Sequence, residues 1–219
     1  MNAASVTPFQ EGSVRGFLHH PEAAARDGLV LSHGAGSDCN APLLLVVADA
    51  LTAAGLAVLR IDLPFRQHHA HGPLRFDAQD REGIREAASV MRRLVPGRVF
   101  LGGHSYGGRQ SSRVAAADPG LAQGLLLLSF PLHPSLPRNP ERYGSRTDHF
   151  PTLRVPVLFV HGTRDPMASI EEIQSALQLI PPPARLVEVA GARHDLNRGR
   201  FDIEWLVVEP FLELTGRKS

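Results

Sequence analysis

With a single cysteine, Cys39, among 219 residues, no internal disulfide can form, and a reducing cytoplasm is the expected setting. An excess of one charge is missing too. Twenty-three Lys and Arg stand against 22 Asp and Glu, a net +1, so no strong field gathers nucleic acid or an anionic membrane. The longest apolar runs, LLLVVADALTAAGLAV and LVLSHG, are too short or too interrupted to span a bilayer. No basic residue precedes Arg15 and no apolar h-region follows the start, so no secretory signal is expected. Repeats and low-complexity tracts are absent as well. The chain reads as one soluble domain over 1–219, a monomer or homodimer without nucleic-acid or membrane partners.

What the sequence does contain is a regular alternation. Short β-rich runs at 28–33, 57–62, 98–103, 124–129, 155–160 and 184–189 read as strands. Most lack polar alternation, as strands buried on both faces of a parallel sheet require. Helical patterns fall between and after them, at 42–54, 77–94, 106–117, 169–180 and 201–214. The first of these opens with Pro42 at a favoured N1 position and stops before Gly55. The order predicts an α/β fold with a doubly wound, mostly parallel sheet. SVTPF and SVRGFLHH, separated by Gly12, predict an antiparallel hairpin at one edge. One connection, 130–156, is rich in Pro and Arg and too long for an ordinary turn. It reads as a short cover over a site or as a solvated loop.

LGGHSYGGRQ, residues 101–110, carries the main chemical signal. A phosphate-binding loop is one reading, because four residues separate Gly103 from Gly108. Such a loop needs Lys and then Ser or Thr after its last glycine, and Arg109 and Gln110 stand there instead. A structural glycine turn is the second reading. The third is a G-x-S-x-G elbow, in which Gly103 and Gly107 make room for Ser105 in a strained turn between strand and helix.

A serine hydroxyl needs a base and an acid to orient that base. The acid candidate is Asp165 in VLFVHGTRDP, just past a strand, and the base candidate is His194 in ARLVEVAGARHDL, past the next. Their order, Ser then Asp then His, suits such an elbow. Asp165 before Pro166 also fits a plain turn, and His194 is one of eleven histidines. An oxyanion would be held by the backbone N–H of Tyr106 and by Ala35, with Gly34 as the alternative, in His33-Gly34-Ala35-Gly36.

Together GLVLSHGAG, LRIDLPFR, GGHSYGGR, SFPLHP, LFVHGTRDP and GARHDL resemble the α/β-hydrolase superfamily over nearly the whole chain. They are most similar to its dienelactone-hydrolase-like branch, which also includes a testis-expressed protein and a subunit of a histone-acetyltransferase complex. That resemblance implies a cofactor-free hydrolase with little or no cap, acting on a small acyl substrate such as an ester, thioester or lactone. Dienelactone hydrolases proper use a cysteine nucleophile, where this chain has Ser105. A non-catalytic interaction module, or perhydrolysis, amide or C–C cleavage on the same residues, are the alternatives.

Other residues are assigned by position. Phe65 and Arg66 follow a strand end and are expected near the substrate, as is His133 in the 130–156 segment beside Arg138, Arg142, Arg146 and His149. Arg109, in the first turn of a helix, calls for an acidic partner. His68, His69 and His71 lack an acidic or cysteine companion in their loop, so no metal is expected. Cys39 is expected to be a small buried filler.

Overall fold

The apolar runs form one eight-stranded sheet, ordered β1-β2-β4-β3-β5-β6-β7-β8. Its strands are β1 Ser5–Glu11, β2 Val14–His20, β3 Gly28–Ser32, β4 Ala57–Ile61, β5 Val99–His104, β6 Leu125–Leu128, β7 Val157–Gly162 and β8 Ala184–Val189. In this computed structural model, residues 4–68, 77–133, 146–181, 183–196, 202 and 204–216 are described. Strands β3 to β8 run parallel, and β1 and β2 form the expected antiparallel edge. The turn between those two contains Gly12 at φ 58°, a conformation glycine adopts without strain. Strands β3, β4, β6 and β7 are buried along their whole length, which is why their sequences are mostly apolar, with Ser32, Arg60 and His161 as buried polar exceptions.

Two cores flank the sheet. Helices α3 Asp77–Leu94, α4 Tyr106–Ala117 and α5 Ile170–Leu177 cover one face through Ile84, Val114 and Ile173. On the other, α1 Pro42–Ala53 and α6 Glu209–Leu214 pack through Leu44, Val47 and Phe211. The chain leaves β3 toward β4 and then crosses back to β5, so winding reverses beside β3. Crevices for ligands open at such reversals, beyond the C-terminal strand ends. Among the described residues, no helix is long and apolar enough to cross a membrane.

The differences from the sequence reading are local. Helix α2, Pro64–His68, occupies a stretch read as a loop. Helix α5 is shorter than expected: Ser169 caps it by accepting from Glu172 N–H, Glu172 returns a bond to the Ser169 N–H, and the chain leaves the helix at Gln178. The last helical stretch opens with a wide π turn over Glu204–Val208. Pro210 has no N–H to give and would crowd a carbonyl one α turn back, so a widened turn accommodates it.

Candidate active site

Ser105 sits between β5 and α4 with φ 52° and ψ −114°, a backbone state that L-residues rarely take. Strain of this kind, about 1–3 kcal/mol, persists only where the surroundings force it. Here the force is close packing. A Cβ at Gly103 would lie 2.5 Å from Ser32 Oγ and 2.6 Å from Ser32 O, and one at Gly107 would lie 2.6 Å from both Ser32 O and His33 O. The elbow therefore presses directly on the end of β3. The Ser105 N–H donates to Leu128 O at 2.8 Å, which fixes the elbow against β6 as well.

The Ser105 hydroxyl points to His194, with Oγ 2.8 Å from Nε2, and His194 Nδ1 lies 2.8 Å from Asp165 Oδ2. Burial raises the pKa of Asp165, but hydrogen bonds from His194 and the Met167 N–H, with the nearby His194 and His161, outweigh it and leave the carboxyl below its usual range. An ionised carboxylate only accepts, so His194 carries its proton on Nδ1 and offers a lone pair to the Ser105 hydroxyl. The Asp165 side chain is fully shielded while that of His194 is 24 % exposed, so the relay runs from the interior to the surface.

The two amides expected to hold an oxyanion are those of Ala35 and Tyr106. Gly34 O accepts from His33 Nδ1–H at 2.8 Å, Ser37 N–H at 3.2 Å and Ser37 Oγ–H at 3.3 Å. In a planar trans peptide the N–H points opposite to the C=O, so the Ala35 N–H is turned away from these donors. Ser105 O likewise accepts from Arg109 N–H at 3.0 Å, which directs the Tyr106 N–H out of the start of α4. Neither amide has an acceptor among the described residues. Unpaired N–H donors, one of them Tyr106 at a helix start favoured by the helix dipole, suit a developing negative charge.

The other expected contacts resolve differently. Phe65 is 1 % exposed and stands edge-on to His33 and Tyr106, with ring centroids 5.5 and 5.7 Å away, so it is core and offers no surface to a substrate. Arg66 turns to the backbone instead, donating from Nε to Ser37 O at 2.8 Å and from Nη2 to Ala35 O at 2.9 Å. His133 pairs with Glu172 at 2.7 Å, on a surface cleft lined also by Leu132, Arg146 and Leu179 but by none of Ser105, Asp165 or His194.

Arg109 corrects the expectation of an acidic partner. Among the described residues it forms no ion pair, and its buried Nε has no acceptor. Burial and the neighbouring Arg113 lower its pKa, while Arg113 itself takes Asp148 at 2.9 Å. Cys39 is 1 % exposed, and burial together with the Asp62 carboxylate pushes its thiol up to about 12, so it stays protonated.

The 130–156 segment is anchored at both described ends. Leu132 and His133 N–H both donate to Met167 O, Phe150 is buried against Phe130 and Phe159, and His149 Nε2 lies 2.8 Å from Ser112 Oγ. Arg138 and Arg142 lie outside the described residues, as do His69 and His71 and the side chain of His68.

Several residues around the site carried no assignment in the sequence. His104 and His161 are two of them: His161 is buried, donates from Nε2 to Ala168 O at 3.0 Å and lies 3.6 Å from Asp165 Oδ2. Asp80 is another, fully buried under Tyr106. Its signal was available, because on α3 it falls in the apolar stripe of Ile84, Ala87, Ala88 and Met91.

Strand order, elbow and loop placement together define a hydrolase of the α/β type. The chain belongs to the alpha/beta hydrolase family, whose domain model matches residues 25–202. It is similar to the dienelactone hydrolase of Anabaena variabilis, at 26 % identity, TM-score 0.67, and 90 % and 89 % coverage of the two chains. It shares its fold with Est1E of Butyrivibrio proteoclasticus, solved with ferulic acid bound, at 18 % identity, TM-score 0.78, and 96 % and 100 % coverage. A Xanthomonas campestris serine hydrolase described as lacking a lid matches at 18 % identity, TM-score 0.68, and 97 % and 90 % coverage.

Proposed function

We propose that the protein is a serine hydrolase that cleaves a small ester, thioester or lactone through an acyl-enzyme. Ser105 attacks the acyl carbonyl as His194 takes its proton, and Asp165 orients His194 and stabilises its cationic form. The negative charge on the carbonyl oxygen is held by the N–H groups of Tyr106 and Ala35, with Gly34 the alternative second donor. His194 then protonates the leaving group, and a water molecule, deprotonated by the same histidine, releases the acid. No step calls for a metal or cofactor.

The observation that carries this reading is the unbroken path Asp165–His194–Ser105, each link 2.8 Å, ending at a serine in a strained elbow. The test is labelling with a fluorophosphonate probe. Wild type should be modified at Ser105 and Ser105→Ala should not; a folded wild type that resists labelling would overturn the reading. Nitrophenyl esters of increasing acyl length test the substrate class, since a preference for chains of about ten carbons or more contradicts a small acyl site.

A further inference from the structure

The two amides proposed to hold the oxyanion belong to separate parts of the chain, the loop after β3 and the start of α4. Their separation must be fixed for both to reach one oxygen. Ser105, the N-cap of α4, makes no capping bond with its own side chain, because the hydroxyl is turned to His194. The elbow packing and the Ser105 N–H bond to Leu128 O anchor the backbone at the helix start, and a side-chain tie can set its distance from the Ala35 loop.

Asp80 touches both sides. Its Oδ2 accepts the Tyr106 hydroxyl proton at 2.6 Å, and its Oδ1 accepts the Phe65 N–H at 3.0 Å. The next residue after Phe65 is Arg66, whose guanidinium grips Ala35 O and Ser37 O. A continuous path therefore runs from the Ala35 loop through Arg66 and Phe65 to Asp80, and from Asp80 through the Tyr106 ring to the Tyr106 amide. The Phe65 ring fills the space between, edge-on to His33 on one side and Tyr106 on the other.

The energetics also ask for a reason. Asp80 is 0 % exposed and, among the described residues, has no cation within ion-pairing distance. A buried carboxylate held by hydrogen bonds alone is weak evidence for stability, since an apolar side chain of similar size is often tolerated as well or better. Its use here is geometric.

We infer that Asp80 is a positioning residue that sets the gap between the two halves of the oxyanion hole, acting through the Tyr106 hydroxyl and the Phe65 N–H. This rests on the serine-hydrolase reading above. Asp77, whose Oδ1 lies 3.0 Å from the same hydroxyl, is the reserve acceptor for Tyr106 but makes no bond to Phe65.

The test uses Tyr106→Phe, Asp80→Leu and Asp80→Asn in the full chain, with a short nitrophenyl ester as substrate and a trifluoromethyl ketone as a probe of the oxyanion site. Tyr106→Phe removes one tie and Asp80→Leu removes both. Each is expected to lower kcat by about 10- to 100-fold with KM within about twofold, and to weaken the ketone in parallel. Asp80→Asn should restore most of the rate, because it can keep both ties: its Oδ1 accepts from Phe65 N–H and its Nδ2–H donates to the Tyr106 oxygen, whose own proton turns to Asp77.

If Tyr106→Phe and Asp80→Leu lower Tm but leave kcat and ketone affinity within twofold of wild type, the inference is wrong and Asp80 is merely structural. Should Asp80→Leu not fold, Tyr106→Phe alone decides. Failure of wild type to label at Ser105 overturns the hydrolase reading and this inference with it. A labelled, active wild type beside unaffected variants overturns only the inference.

Discussion

His104 donates its Nε2–H to the main-chain oxygen of His194 at 2.8 Å, and the two rings lie 5.1 Å apart. The residue before the proposed nucleophile thus holds the loop that carries the proposed base. On its other side His104 abuts the loop after β3, since a Cβ at Gly34 would lie 2.9 Å from its Nδ1. Removing the ring in His104→Ala frees the His194 loop while leaving the elbow glycines in place. We expect kcat to fall about 10- to 100-fold through misalignment of His194 with Ser105, measured with a short nitrophenyl ester. A rate within twofold of wild type would mean that the His194 loop is held by other contacts.

The same histidine makes stability pH-dependent. Burial pulls the pKa of His104 down to about 4, and burial does the same to His149, also to about 4. Both are neutral in the folded chain at neutral pH and regain an ordinary value on unfolding. Between about 6.5 and 4 the unfolded chain therefore binds more protons, so stability is complete above this window and is lost as pH falls through it. Tm should drop over that range, and His149→Gln should make the drop shallower. An unchanged slope in His149→Gln would show that its ring does not stay neutral in the fold.

The parallel sheet was legible because the inner strands carry short runs dominated by Val, Leu and Phe, even with Arg60 inside one of them, and each observed strand falls within two residues of its expected place. Ser105, Asp165 and His194 were legible because each follows a strand, where the backbone turns toward the site. For Phe65 and Arg66, substrate contact and a structural role in the loop were both open, because position after a strand gives the rim but not the direction of the side chain. The five-residue α2 turns Phe65 into the core and Arg66 onto carbonyls. Likewise the backbone partners of His104 and His161 leave no periodic trace, because any loop carbonyl can accept.

Asp165 keeps His194 in the tautomer that accepts from serine. In Asp165→Asn the amide can donate to Nδ1, which would put the histidine proton on Nε2, facing Ser105. We expect kcat to fall by about 10⁴ with little loss of Tm, measured by ester turnover and thermal melting. A near-normal rate would point to another acid.

Close approach at the elbow leaves no room for a methyl group at two positions. Gly103→Ala and Gly107→Ala would each place Cβ within 2.6 Å of backbone atoms of Ser32 or His33, which cannot swing away. Overpacking of this kind costs about 1–3 kcal/mol or more, so both variants should melt lower or accumulate poorly. Gly36→Ala is the control on the neighbouring loop, because a Cβ there meets nothing within 4 Å. If Gly36→Ala is as damaging as the other two, crowding is not the cause.

Arg66 separates charge from shape on the same loop. Its two donor groups reach Ser37 O and Ala35 O at 2.8 and 2.9 Å, and its guanidinium lies 5.1 Å from the centre of the Phe65 ring. A guanidinium is a rigid fork that can bind two carbonyls at once, whereas an ammonium is a compact point charge on a flexible stem. If loop shape is what matters, Arg66→Lys keeps the charge but not the fork, and should lose nearly as much kcat as Arg66→Ala, about tenfold or more. KM should change little if Arg66 acts through these two backbone contacts. If Arg66→Lys restores full activity, the positive charge beside Ala35 is what the loop requires, and the two-point grip is incidental.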